Sequence, residues 1–301
     1  MARYSDKKTV IALGFFDGVH RGHAELIKMA KKRAQELNAA PAVLSFDVSP
    51  ESVITGNRVP LIGSVKTRED LIRRLFGVEN LIVYHFDKTT MALPWQNFID
   101  SLIEKHSAVH LVIGHDFHCG YRGEGNPDRI AAYCGERGIG CDVIPKIMLD
   151  GITVSSTYIR ELISLGDIER ANYFLGHPFI FAGTVAHGRQ VGRKLGTPTI
   201  NLYGDDDSLV LPARGVYATK VLAEGAERPA VTNVGIRPTF GDSDIASVET
   251  FILDFHGDLY EKYVQIEFYS FIRPERKFSD VGELSGQITE DIAKIRQYFN
   301  I

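Results

Sequence analysis

From residue 9 to about residue 146, short apolar runs alternate with amphipathic stretches, and from residue 179 to residue 272 strand-like runs follow one another without helices. This change of rhythm restricts the fold more than any single motif does. In the first half, residues 9–13, 41–46, 81–84, 109–113 and 141–144 read as strands. Between them, sets such as Leu26, Ile27, Ala30, Ala34 and Leu37, or Phe98, Ile99, Leu102 and Ile103, recur at helical spacing. Continuous apolar strands alternating with helices predict a parallel sheet covered by helices on both faces, an α/β domain. Ligands are then expected outside the carboxyl ends of the strands. In the second half, residues 179–185, 215–222, 230–234, 248–255 and 263–272 read as strands without intervening helices, which predicts an antiparallel β-barrel. A final helix is expected to lay Val281, Leu284, Ile288, Ile292, Ile295 and Phe299 along one apolar stripe. A chain of 301 residues has room for two domains. The break at Gly176-His177-Pro178-Phe179 places them at 1–175 and 183–301, joined by 176–182.

Net charge of −4 with a pI near 6.2 argues against a general nucleic-acid surface. No apolar leader and no bilayer-length span is read, so no membrane partner is expected. Cys119, Cys134 and Cys141 are odd in number and lack zinc spacing. They read as reduced thiols of a cytoplasmic protein.

The first turn, Gly14-Phe15-Phe16-Asp17-Gly18-Val19-His20-Arg21-Gly22-His23, joins a strand to a helix. Unpaired N–H groups and the positive dipole end make a helix N-terminus an anion site. Gly14, Gly18 and Gly22 allow close approach to the backbone, and His20 and His23 lie three apart. A purely structural turn, or a metal-binding His pair, would also use such residues. A second turn, residues 113–125, carries Asp116, Phe117 and Gly120 among glycines and histidines. Further on, Ser155, Ser156 and Thr157 precede Arg160, a set suited either to phosphate oxygens or to an ordinary N-cap.

In the second half, residues 183–201 combine Gly188, Gly192 and Gly196 with Arg193, a composition suited to a loop over a phosphate chain, without the Walker pattern. Thr199 and Asn201, two apart on an extended segment, offer neutral oxygens to Mg²⁺, which keeps waters and borrows phosphate ligands. Glu249 is a carboxylate on a strand, which by spacing alone reads as a solvated pair with a neighbouring Lys or Arg.

These motifs together resemble those of the bacterial bifunctional riboflavin kinase/FAD synthetase (FMN adenylyltransferase) family. The first turn is similar to its G-x-F-D-G-x-H-x-G-H signature, and residues 154–160 to its I-S-S-T-x-I-R motif. Residues 113–125 resemble its G-x-D-F-x-F-G loop, with Cys119 where an aromatic is usual. Residues 46–50 resemble F-D-P-H-P with Ser49 in place of the histidine. Residues 196–201 match P-T-x-N and residues 233–241 match N-x-G-x-R-P-T-F-G, while Phe251 replaces a histidine often found near the base position.

The resemblance implies a Rossmann-like HxGH nucleotidyltransferase domain followed by a riboflavin kinase barrel. It implies His20, His23 and Arg160 as groups stabilising charge in adenylylation, and Glu249 as the base for riboflavin phosphorylation. Gly14, Phe16, Asp17, Gly18, Gly22, Ser155, Ser156 and Thr157 are expected at ATP phosphates, as are Gly188, Gly192, Arg193 and Gly196. Asp116, Phe117, Gly120, Asn233, Arg237, Pro238 and Thr239 are expected at the flavin, with Mg²⁺ on Thr199 and Asn201. Expected partners are riboflavin, FMN and ATP, bound by a monomer or weak homo-oligomer. Two alternatives stay open: a kinase with a degenerate adenylyltransferase domain, and a flavin- or nucleotide-binding regulator without turnover.

Overall fold

The computed structural model describes residues 7–186, 197–237 and 245–301. By internal contacts the chain forms two compact units, Met1–Val59 with Val65–Ser155, and Pro60–Ser64 with Ser156–Ile301.

The first unit is built on five parallel strands, β1 (Thr9–Leu13), β2 (Ala40–Phe46), β3 (Asn80–Tyr84), β4 (Ala108–Gly114) and β5 (Gly140–Ile144), in the order β3-β2-β1-β4-β5. Its helices are α1 (Arg21–Glu36), α2 (Pro50–Thr55), α3 (Val65–Phe76), α4 (Lys88–Met91), α5 (Trp95–His106) and α6 (Pro127–Glu136). Successive residues Val10 to Leu13 are all buried, as are Leu111 to Ile113. Burial of neighbours that point to opposite sides requires cover on both faces of the sheet, as the unbroken apolar runs predict. The short hairpin of β6 (Met148–Leu149) and β7 (Ile152–Thr153) follows.

One polar brace ties α1 to β4 and β5. Arg33 donates from Nε to Asp142 Oδ2 at 2.6 Å and from Nη2 to Oδ1 at 3.0 Å, and His110 Nε2 lies 2.9 Å from Oδ2. Hydrogen bonding from Arg33, more than from His110, holds the Asp142 carboxyl below the usual range. With a folded pKa below the unfolded value of about 3.9, the brace is fully present above roughly pH 4 and is lost as pH falls through the folded pKa. Asp142→Asn is therefore expected to lower the melting temperature of this unit by about 2–4 °C at pH 7. Calorimetry at stepped pH should show the gap to wild type closing below roughly pH 4.

The second unit opens with α7 (Ser156–Leu165) and α8 (Ile168–Leu175), split at Gly166. Six strands then close an antiparallel barrel: β8 (Phe179–Ala186), β9 (Thr199–Gly204), β10 (Gly215–Ala223), β11 (Ala226–Arg237), β12 (Ile245–Ile252) and β13 (Tyr263–Arg273). A fully buried hydroxyl row, Thr219–Thr232–Thr250, crosses three of them with Oγ1 separations of 2.8 and 2.9 Å. Residues Pro60–Ser64 belong to this unit: Leu61 N–H donates to Ser208 O, Val210 N–H donates to Leu61 O, and Ser64 Oγ donates to Asp205.

On the C-terminal helix, Val281–Phe299, Ile295 of the expected stripe is buried and Leu284, Ile288, Ile292 and Phe299 are half-buried, as expected, whereas Val281 is 64% exposed and the polar Gln287 and Asp291 are buried too. Asp291 is buried because the guanidinium of Arg273 makes a forked pair with it (Nε–Oδ1 3.0 Å, Nη2–Oδ2 2.7 Å). A satisfied ion pair thus occupies a position that periodicity assigns to apolar side chains.

Candidate active sites

In the first unit, the turn after β1 folds tightly. Phe16, Gly18 and Val19 all take left-handed φ values (58°, 75° and 44°), and Phe16, Asp17 and Val19 are buried. His20 caps α1: its Nδ1 accepts from the His23 N–H at 3.2 Å. The two imidazoles stack with centroids 3.6 Å apart and planes 10° apart. The Phe16 ring packs against His23 at 5.0 Å. A Cβ on Gly22 would come within 3.0 Å of the His20 ring, so glycine is what lets that imidazole lie flat against the helix start.

Burial, then the nearby charges of His20 and Arg68, lowers the His23 pKa well below its ordinary value. His23 Nδ1 is enclosed with no hydrogen-bond partner among the described residues.

Beside this turn lies a largely apolar cavity of about 550 Å³, walled by Phe46, Phe86, Met91, Leu93, Phe98 and Phe117 among others. Gly120 lines it with φ 76°, and a Cβ there would fall 2.5 Å from Trp95. Cys119 and Gly125 exchange both backbone hydrogen bonds, closing the loop over α5. Burial pushes the Cys119 thiol up to about 12, so it lines the cavity as an apolar group. Asp116 stands apart, its side chain 80% exposed.

Sequence reasoning missed two features at this end of the sheet. Ser49 caps α2, accepting from the Ser52 N–H at 3.3 Å, so the residue in the expected histidine's place has a helix to start. An imidazole arrives instead after β3: His85 Nδ1 lies 2.7 Å from Asp47 Oδ2, and Asp47 Oδ1 accepts from the Phe86 N–H. That bond raises the His85 pKa. Burial pushes Asp47 up, yet the hydrogen bonds from His85 and Phe86 prevail and keep it below the usual range.

Ser155 ends the first unit, and Ser156, Thr157 and Arg160 begin the second. Arg160 donates to Pro60 O at 3.3 Å and to Thr157 Oγ1 at 3.2 Å.

In the barrel, Asn233 on β11, Glu249 on β12 and Asn201 on β9 are direct cross-strand partners, one row on one face. Thr199 and Phe251 form the adjacent row two residues along. The alternating residues Thr232 and Thr250 occupy the other face. Asn201 is 6% exposed, and its Oδ1 has no hydrogen-bond partner among the described residues. A cavity of about 250 Å³ is lined by Thr199, Asn233, Glu249 and Phe251 on one side and Phe278 and Leu284 on the other. A second, of about 420 Å³, includes Thr199 with Ile252, Phe255, His256 and Tyr260. The two cavities share Thr199, so one ligand could lie on each side of it.

Glu275, which accepts from Asn233 Nδ2 at 3.3 Å, and the Arg273–Asp291 pair were not foreseen. The charged run at residues 273–277 was their only signal. Arg237 ends β11. Gly188, Gly192, Arg193, Gly196, Pro238 and Thr239 lie outside the described residues.

A family model described as FAD synthetase matches residues 2–158, and one described as riboflavin kinase matches residues 175–299. A protein of Listeria monocytogenes named bifunctional riboflavin kinase/FMN adenylyltransferase is 36% identical over 98% of this chain and 94% of its own length. The Bacillus subtilis protein of the same name is 36% identical over 97% of this chain and 93% of its own length. Among solved structures, one described as a macrolide-efflux protein from Streptococcus pneumoniae superposes with a TM-score of 0.85 at 30% identity, covering 97% of this chain and 95% of that one. No helix among the described residues is long and apolar enough to cross a membrane.

Proposed function

The chain belongs to the bifunctional riboflavin kinase/FMN adenylyltransferase family, and from that premise we propose which of its residues carry each of the two reactions. It phosphorylates riboflavin with ATP to give FMN, then transfers an adenylyl group from ATP to FMN, giving FAD and pyrophosphate.

For the kinase step, the observation that carries the assignment is the Asn201–Glu249–Asn233 row beside a cavity. Glu249 accepts the proton of the ribityl hydroxyl as that oxygen attacks the γ-phosphorus of ATP, whose bond to the bridging oxygen breaks to release ADP. Little covalent help from protein is needed, so alignment and charge neutralisation dominate. The enclosed Oδ1 of Asn201, without a hydrogen-bond partner among the described residues, and the neighbouring Thr199 hydroxyl suit a hard cation. Among the described residues no His, Cys, Asp and Glu side chains form a metal cluster, so the pair would hold Mg²⁺ together with phosphate oxygens and water. Bound there, Mg²⁺ would neutralise phosphate charge. The cavity around Phe255 and Tyr260 suits the adenine of ATP, and that between the barrel and Phe278 suits the flavin, Asn233 included. Gly188, Gly192, Arg193 and Gly196 are assigned to the phosphates, and Arg237, Pro238 and Thr239 to the flavin, on their motifs alone.

For adenylylation, the stacked His20 and His23 at the start of α1 carry the assignment. FMN brings an already ionised phosphate as nucleophile, so no general base is required. The histidines and the helix N-terminus stabilise charge around the α-phosphorus and the departing pyrophosphate. Gly14, Phe16, Asp17, Gly18 and Gly22 shape that turn. Ser155, Ser156, Thr157 and Arg160 are assigned to phosphate oxygens on the strength of their motif. The 550 Å³ cavity, with Phe117 and Gly120, suits the isoalloxazine ring, and exposed Asp116 a polar edge of the flavin.

A chromatographic time course with riboflavin, ATP and Mg²⁺ tests the reading. FMN should rise first and then be converted to FAD. FMN accumulating without FAD, with pyrophosphatase present, would overturn the adenylylation assignments and leave those in the barrel standing.

A further inference from the structure

We infer that Arg68, on α3, is a positioning residue for adenylyl transfer, locking the histidine-bearing turn to the wall of the large cavity. Arg68 is 1% exposed, although burying a guanidinium is costly unless its surroundings are built to receive it. The two N–H groups of its Nη1 are shared among three acceptors, Phe15 O at 2.7 Å, Phe46 O at 3.0 Å and Ser45 Oγ. Ser45 Oγ in turn donates to Phe15 O at 2.8 Å. The guanidinium also lies over the Phe15 ring, 4.5 Å from its centroid.

These acceptors were not drawn from one place. Phe15 precedes Phe16, the left-handed residue whose ring packs on His23. Phe46 ends β2 and lines the cavity. One nitrogen therefore fixes the distance between the histidine pair and the floor of the cavity proposed for the flavin. The Arg68 charge is also one of the causes that keep His23 neutral. A neutral imidazole donates a hydrogen bond to a phosphate without competing for its counter-cations. Nothing in the motif names Arg68, since it lies on another helix.

The inference rests on the adenylyltransferase reading. FAD formation by the wild type tests that reading, and the ratio of variant to wild type tests Arg68. Arg68→Met is expected to lower kcat for FMN adenylylation about 10²-fold, the loss expected from a shift of about 1 Å at the reacting groups. FMN formation in the same sample should stay at the wild-type rate, because the barrel is a separate unit. By NMR, the His23 ring should titrate nearer its ordinary value of about 6.5 in this variant. Arg68→Lys, which keeps the charge but not the planar fork, should leave His23 untitrated in that range and lose about 10-fold in kcat. Should the Met variant not fold, the Lys variant decides. A folded Met variant with wild-type kcat and His23 titration, or a Lys variant with wild-type kcat, would overturn the inference.

Discussion

Glu249→Gln is expected to lower kcat for riboflavin phosphorylation by about 10²–10⁴-fold, the range lost when a positioned proton acceptor is removed. Glutamine keeps the size and much of the hydrogen-bonding capacity of the side chain while removing its basicity. The cross-strand row should survive, because Asn201 and Asn233 are held in register by the backbone ladders of β9, β12 and β11. FAD formation from supplied FMN should continue at the wild-type rate. The check is kcat for each half-reaction in one preparation, with circular dichroism to confirm the fold. Riboflavin turnover within a few-fold of wild type would remove Glu249 from the role of base.

His23→Ala has the second large expected effect, on the other reaction. Loss of one preorganised donor at developing phosphate charge costs about 10²–10³-fold in kcat. The substitution also removes the ring against which His20 stacks and Phe16 packs. The backbone N–H that His20 Nδ1 accepts remains, so the cap of α1 should be kept. FMN should therefore accumulate from riboflavin at the wild-type rate while FAD is scarcely formed. Equal loss of both activities in a folded variant would mean that the two sites do not act independently.

The strands and most helices were legible in the sequence because burial on both faces writes unbroken apolar runs, as at Val10 to Leu13. The histidine pair was legible too, because its geometry is set locally by a turn and a cap. The barrel row was less so: Glu249 meets Asn201 and Asn233 only through pairings between distant strands, which periodicity does not specify. The short helices α2 and α4 carry too few residues for a period to show. Arg68 and His85 act through contacts with other elements, to Phe15 and to Asp47, that no local pattern records. The buried Asp291 escaped notice on the C-terminal helix because its partner, Arg273, lies on β13.

The segment Pro60–Ser64 has a consequence for the history of such a chain. It is encoded among residues of the first unit yet hydrogen-bonded to Ser208, Val210 and Asp205 of the second. A gene cut at Ser155/Ser156 would hand the barrel half to its new owner without Leu61, and with the Val210 N–H bereft of its acceptor. Separation of the two halves into free-standing enzymes would thus call for a compensating change near Leu209, whereas fusion, once made, could grow such a thread and become hard to reverse.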